Sequence, residues 1–183
     1  MRGHSLTIGI AWLIARPQCY HGEKFAGLHL VRATKHVNIH DVDISAADVA
    51  KVPAGHLRVS RAEFAALWRT AERFHDEQVR RGVADWYGSG VVETCRWLAN
   101  AIVKPEVGPW RLAPSPVTKR IHVASDELIE AECRAAEQLA GRRPVPAHLQ
   151  RQPGWIEAVV ATLNWAWRRH GRSPLDTSRR AWG

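Results

Sequence analysis

Residues 155–170, Trp-Ile-Glu-Ala-Val-Val-Ala-Thr-Leu-Asn-Trp-Ala-Trp-Arg-Arg-His, constrain the fold more than any other stretch of this chain. Trp155, Ile156, Val159, Val160, Leu163, Ala166 and Trp167 recur at about 100° per residue and form one apolar stripe. A stripe that wide cannot be left in water, so the helix predicts other helices packed over it. Trp165 falls outside the stripe, with Arg168 at i+3 and Arg169 at i+4. The spacing therefore predicts a flat aromatic surface between two guanidinium groups, available to a partner.

The rest of the chain supplies those helices. Ser60 and Glu63 have the spacing of a capping box, and Phe64, Leu67, Trp68, Ala71, Phe74, His75 and Val79 then trace one face to about Arg81. Asp85 can cap a second helix, Trp86 to Val103, stopped by Pro105. That helix has two apolar stripes, Tyr87, Val91, Cys95, Leu98 and Ile102 beside Trp86, Gly90, Trp97 and Ala101, which predicts a central position or a side offered to a partner. Gly88 and Gly90 would let another backbone approach closely, or would delay the helix start to Ser89. Ser125 caps a third helix, Asp126 to Ala140, with Leu128, Ala131, Ala135 and Leu139 as its stripe and Ile129, Cys133 and Ala136 beside it. Residues 105–124, rich in Pro and Gly and holding Trp110, read as a long connection with Lys119 and Arg120 at an exposed tip. Near the start, 27–33 and 36–44 alternate apolar and polar residues and predict a small hairpin, followed by a short helical turn from Ser45 to Ala50.

These elements predict a mainly α fold, a compact helical bundle of about four longer helices with a small N-terminal β-hairpin element. Its parts are an N-terminal α/β element over 1–55, a helical body over 56–175 and a tail over 176–183. A chain of 183 residues with 45% apolar content can bury a core of that size. Leu6 to Ala15 is apolar but too short to span a bilayer, and Ala15-Arg16-Pro17 is no signal-cleavage site, so it reads as a buried segment. Cys19, Cys95 and Cys133 are odd in number and far apart, which excludes a disulfide framework and a CxxC metal knuckle and predicts a cytoplasmic protein. No nucleotide or cofactor motif is present, and no cofactor is expected.

The net charge is +8, carried by 21 Arg and 5 Lys against 18 acids, and residues 105–183 are the more basic part. Such a balance favours a polyanionic partner. Arg fits phosphates and bases better than Lys through its planar, bidentate and stacking geometry, although a GC-rich genome produces the same bias.

Three constellations could carry chemistry. Arg69 and His75 have an Arg-x5-His spacing that resembles the Rx4-6H signature of HEPN-fold ribonucleases. That resemblance implies metal-independent RNA cleavage with His75 as acid or base and Arg69 stabilising phosphate charge, and an RNase toxin is one alternative function. The match departs from the pattern at Thr70, where Asn, Gln or His is usual, and a pair at i and i+6 lies about 120° apart on a helix. A core histidine is the competing reading of His75. His36, His40, Asp41 and Asp43 have metal-compatible side chains at short spacing but lack a third well-placed ligand, so a solvated hairpin face is expected and no metal. Cys95, near Glu93, lies on an apolar stripe and reads as a structural thiol.

Binding is the class that remains. Trp165, Arg168, Arg169 and Arg172, with Arg142, Arg143, Lys119 and Arg120, form a candidate nucleic-acid surface in which unpaired bases stack on aromatic and guanidinium planes. Trp and Arg are also the favoured anchors of protein interfaces, which keeps open a protein-interaction factor such as an antitoxin or immunity protein. Internal stacking of Trp on Arg is the reading without a partner. The phrases Asp85-Trp-Tyr, Thr94-Cys-Arg-Trp-Leu-Ala-Asn100 and Arg151-Gln-Pro-Gly-Trp-Ile-Glu-Ala158, followed by Asn164-Trp-Ala-Trp-Arg168, resemble those of small Arg- and Trp-rich actinobacterial proteins over about residues 58–175. The resemblance implies a source and a compact fold, and no activity. The expectation is a non-catalytic basic protein that binds nucleic acid, with single strands or RNA favoured and no membrane. It would work with a protein partner in a nucleoprotein or antiviral-defence assembly.

Overall fold

A computed structural model describes residues 44–105 and 107–176, all of which belong to one compact unit. The expected N-terminal hairpin, the buried segment 6–15 and the His36, His40, Asp41, Asp43 group lie outside the described residues, as does Cys19. The described fold is mainly helical: α1 (Ala46–Lys51), a 3-10 turn (Ala54–His56), α2 (Arg61–Arg80), α3 (Trp86–Leu98), α4 (Asp126–Ala140), α5 (Ala147–Gln150) and α6 (Trp155–Ala166). A two-stranded ladder, β1 (Ile102–Val103) and β2 (Arg111–Leu112), interrupts the series.

The helices start where their capping residues require. The Ser60 hydroxyl accepts from the Glu63 N–H at 3.1 Å while the Glu63 carboxylate takes the Ser60 N–H at 2.9 Å, closing the capping box of α2. Asp85 accepts from the Gly88 N–H at the head of α3, and Ser125 from the Leu128 N–H at the head of α4. Ser45 and Asp48 form a second capping box on α1.

α3 lies between α2 and α6, and α4 packs on the other side of α6. The middle of both stripes of α3 is buried, with Val91, Cys95 and Leu98 at 0% exposure and Trp97 at 2%, while Trp86 and Tyr87 at the helix start are half-buried. Gly90 explains how α6 comes so close: a Cβ there would stand 2.6 Å from the Trp155 carbonyl and 3.0 Å from the Ala158 Cβ. The helix starts at Trp86 and not Ser89, so the glycine serves close approach. Across the other face, Glu72 of α2 is buried and receives three donors: Trp68 Nε1 at 2.9 Å, Arg96 Nε at 2.7 Å and Arg96 Nη2 at 2.6 Å. The planar guanidinium matches the carboxylate in two parallel bonds and fixes α2 against α3.

Several expected features are corrected. The second long helix ends at Leu98 and not Val103, because Asn100 takes the left-handed conformation (φ 51) and its side chain accepts from the Ala124 N–H at 2.9 Å. Ile102 then leaves the core for the ladder and is 59% exposed. The last helix ends at Ala166 and not His170: Arg169 is left-handed (φ 52), and the Asn164 carbonyl accepts from both Arg168 N–H and His170 N–H. Phe74 and Val79 are exposed because the buried face of α2 stops at Glu72. On α4 the buried side is Ile129, Glu132, Cys133 and Ala136, with the expected stripe at its margin.

Gly90→Ala forces a methyl group into the α6 backbone and is expected to cost about 1–3 kcal/mol, read as a lowered midpoint in urea. A variant as stable as the parent would show that the two helices can separate at no cost. Arg96→Met strands a buried carboxylate and is expected to cost about 3 kcal/mol. Unfolding curves that superimpose on the parent would remove this ion pair from the account.

Candidate nucleic-acid interface

The structure separates the sequence-nominated basic residues into three groups. Trp165 is 9% exposed and belongs to the core, which corrects the expectation of an open aromatic face. The cause is topological, since α6 contacts both α3 and α4 and buries more than one stripe.

Arg168 is not a free contact arm. Its Nη2 donates to Glu130 at 2.8 Å and its Nη1 to Glu137 at 2.5 Å, so one guanidinium spans two turns of α4. Glu130 also accepts from Trp167 Nε1 at 3.1 Å. The Arg168 guanidinium, followed by the Trp167 indole, holds the Glu130 carboxyl below its ordinary value of 4.5. Arg168 thus clamps the end of α6 to α4.

Arg169 stands apart from that clamp. Its left-handed backbone turns the chain, and it borders a polar groove of about 620 Å³ together with Arg58, Ser60, Glu63, Gly171 and the edge of Trp165. Arg58 reaches the groove from the segment leading into α2. Its backbone N–H donates to the Ala166 carbonyl at 2.7 Å, and its guanidinium lies 4.3 Å from the centre of the Trp167 ring and 4.0 Å from Asp126. Two exposed arginines far apart in the sequence, Arg58 and Arg169, therefore line one groove. Glu63 lies on its wall, held by Ser60, whose hydrogen bonds are the main cause of its lowered carboxyl pKa; Arg169 adds a smaller attraction. Both the helix start and the helix end are set locally, by the capping box and by the turn at Arg169.

The other nominated cations lie elsewhere. Lys119 pairs with Glu93 at 3.1 Å and sits 5.2 Å from the centre of the Trp155 ring, while Arg120 is exposed beside it. Arg143 donates to the Ala140 and Arg142 carbonyls after α4, and Arg142 and Arg172 are exposed. None of these residues lines the groove.

Arg69 and His75 are not brought together as a catalytic pair. Arg69 Nε donates to the Ile44 carbonyl at 3.0 Å, whereas His75 Nδ1 lies 3.4 Å from Ser89 Oγ. Since Ser89 donates its own proton to the Asp85 carbonyl at 2.7 Å, the imidazole is the donor in that contact. Phosphate-stabilising and proton-transferring groups need one shared reaction centre, and these two side chains serve separate structural partners.

A pocket of about 140 Å³ is lined by Trp97, Ser115, Thr118, Arg120, His122 and the buried Glu132. Glu132 accepts from the Val117 and Thr118 N–H groups and from the Thr118 hydroxyl, so its charge is spent holding the 115–120 turn against α4. Burial pushes the Cys95 thiol up, and pushes Cys133 up to about 12, so neither is an activated nucleophile. Among the described residues no three His, Cys, Asp or Glu side chains cluster as metal ligands, and no helix is long and apolar enough to cross a membrane.

Sequence reasoning passed over three positions. Arg58 carried no periodic signal. Glu72 and Glu132 are acids inside the core, where pattern rules place apolar residues. The signal available for Glu72 was its i+4 relation to Trp68, an indole N–H that needs an acceptor when buried. No family model matches the chain, and no curated protein or solved structure matches it.

Arg168→Ala is expected to lower stability by about 1 kcal/mol at pH 7. Because the Glu130 pKa is depressed in the folded state, this contribution is complete above pH 4.5 and is lost as pH falls further. Equal destabilisation of the variant at pH 3 and pH 7 would refute the clamp. In a Cys19→Ser background, a thiol reagent is expected to label Cys95 and Cys133 only after unfolding; rapid labelling of the native protein would contradict their burial.

Proposed function

We propose that this protein binds nucleic acid without cleaving it, as a basic accessory subunit of a nucleoprotein assembly that also contains a protein partner. The observation that carries this reading is the groove in which Arg58 and Arg169 face solvent beside the Trp165 edge. A phosphodiester accepts bidentate bonds from guanidinium groups, and two such groups along one groove would hold adjacent phosphates. The net charge of +8 supplies the long-range attraction that brings a polyanion to the groove. Glu63, engaged by Ser60 on the groove wall, offsets part of the local charge. Phosphate contacts of this kind give affinity and little sequence preference.

The test uses Arg169, because its left-handed backbone makes glycine the favoured replacement. Arg169→Gly removes the cation while leaving the turn intact, and stability is expected to stay level or rise by about 0.5 kcal/mol. Binding to fluorescent 20-mers of RNA and DNA across a salt series is expected to weaken several-fold, with a log–log salt slope shallower by about 1. Parent-like affinity and slope in the variant would place the interface elsewhere. Absence of salt-sensitive binding by the parent would refute nucleic-acid binding itself.

A further inference from the structure

Seven tryptophans lie among the described residues, and Trp110, at 65% exposure, is the one left open to solvent. It stands at the foot of β2, in a stretch the sequence marks only as connection. The ladder pairs Ile102 with Leu112 and Val103 with Arg111 in antiparallel register, and the Ala113 N–H donates to the Ala101 carbonyl at 2.8 Å. Opposed residues share a face of such a ladder and successive residues alternate. Lys104 follows Val103 and Trp110 precedes Arg111, so both flank the open end of the ladder, and both are exposed, as is Ile102. Arg111 follows Trp110 directly and is exposed. No described ion pair engages Lys104, Arg111 or Arg120. In residues 101–124 the sequence offers one acid, Glu106, against Lys104, Arg111, Lys119 and Arg120.

We propose that the β1–β2 hairpin is a stacking platform for an unpaired base of single-stranded nucleic acid, with Trp110 under the base and Lys104 on a flanking phosphate, while Arg111 adds positive charge to the same hairpin. This inference rests on the nucleic-acid reading and adds strand preference to it. A base inside a duplex already stacks on both faces, so an open indole rewards only a base that is unpaired. A second copy of the chain is the poorer occupant, because a two-fold contact would set the Lys104 and Arg111 charges against themselves. Charge complementarity instead selects a polyanion, and the indole selects a polyanion with flat aromatic groups.

The experiment compares Trp110→Phe and Trp110→Leu for binding to a single-stranded 12-mer and to its duplex, with thermal unfolding of each variant as a folding control. Both residues keep apolar area, but phenylalanine alone keeps an aromatic face. Expected is a single-strand affinity within about threefold of the parent for Trp110→Phe, and a loss of about five- to a hundredfold for Trp110→Leu with duplex binding unchanged. Single-strand affinity retained by Trp110→Leu, or equal losses on single strand and duplex, would overturn the platform while leaving the groove intact. A parent that binds neither probe would overturn both proposals. Binding of the parent to phosphatidylserine-containing vesicles that Trp110→Leu abolishes, with oligonucleotide affinity unchanged, would overturn the platform in favour of a lipid contact.

Discussion

Glu72 organises this fold. A carboxylate at 2% exposure is tolerable only where donors meet it, and here Trp68 and Arg96 supply three. The carboxylate is on α2 and the guanidinium on α3, so the bonds set the rotation and depth of one helix against the other. Once α3 is fixed, Gly90 faces the Trp155 carbonyl and Ala158, and α6 can approach. Leu163, Val159 and Ala158 are then buried, and α4 covers the remaining side of α6 with Ile129, Cys133 and Ala136. A buried ion pair adds little net stability compared with an apolar substitute, but it penalises every register in which the charge loses its partner.

The groove follows from that packing. The lead into α2 crosses the end of α6, where the Arg58 N–H meets the Ala166 carbonyl, an acceptor freed because the helix stops. Arg58 stacks on Trp167, Trp167 donates to Glu130, and Arg168 ties Glu130 and Glu137 to the same end. Arg168 therefore holds the helix end still, and the turn at Arg169 points a different cation into the groove. Neighbouring arginines with equal charge have unequal roles because the chain turns through a left-handed residue at Arg169, just after Arg168.

The helix starts were legible because capping is local. Ser60 with Glu63, Asp85 and Ser125 each bind a backbone N–H three residues on, a relation the sequence displays directly. The helix ends were less so. Ala101, Ile102 and Val103 continue the apolar rhythm of α3, yet Asn100 turns the chain through a left-handed conformation anchored by Ala124, a long-range contact invisible to periodicity. The same limitation hid the burial of Trp165, because a single-stripe reading assumes one packing partner and α6 has two. Of the candidate site, the sequence identified Arg169 and the tryptophan beside it. It missed Arg58, whose place depends on tertiary packing, and it passed over Trp110, whose exposure no local pattern encodes.

The most direct test of the account is a map of where nucleic acid touches the native protein. Photocrosslinking with 4-thiouridine-substituted single-stranded RNA, followed by peptide mass spectrometry, reads that contact without altering any residue. The account predicts crosslinks in the peptides containing residues 57–60 and 165–171, joined by those around Trp110. Crosslinks confined to other surfaces, or none above the level given by a neutral helical control protein, would contradict it.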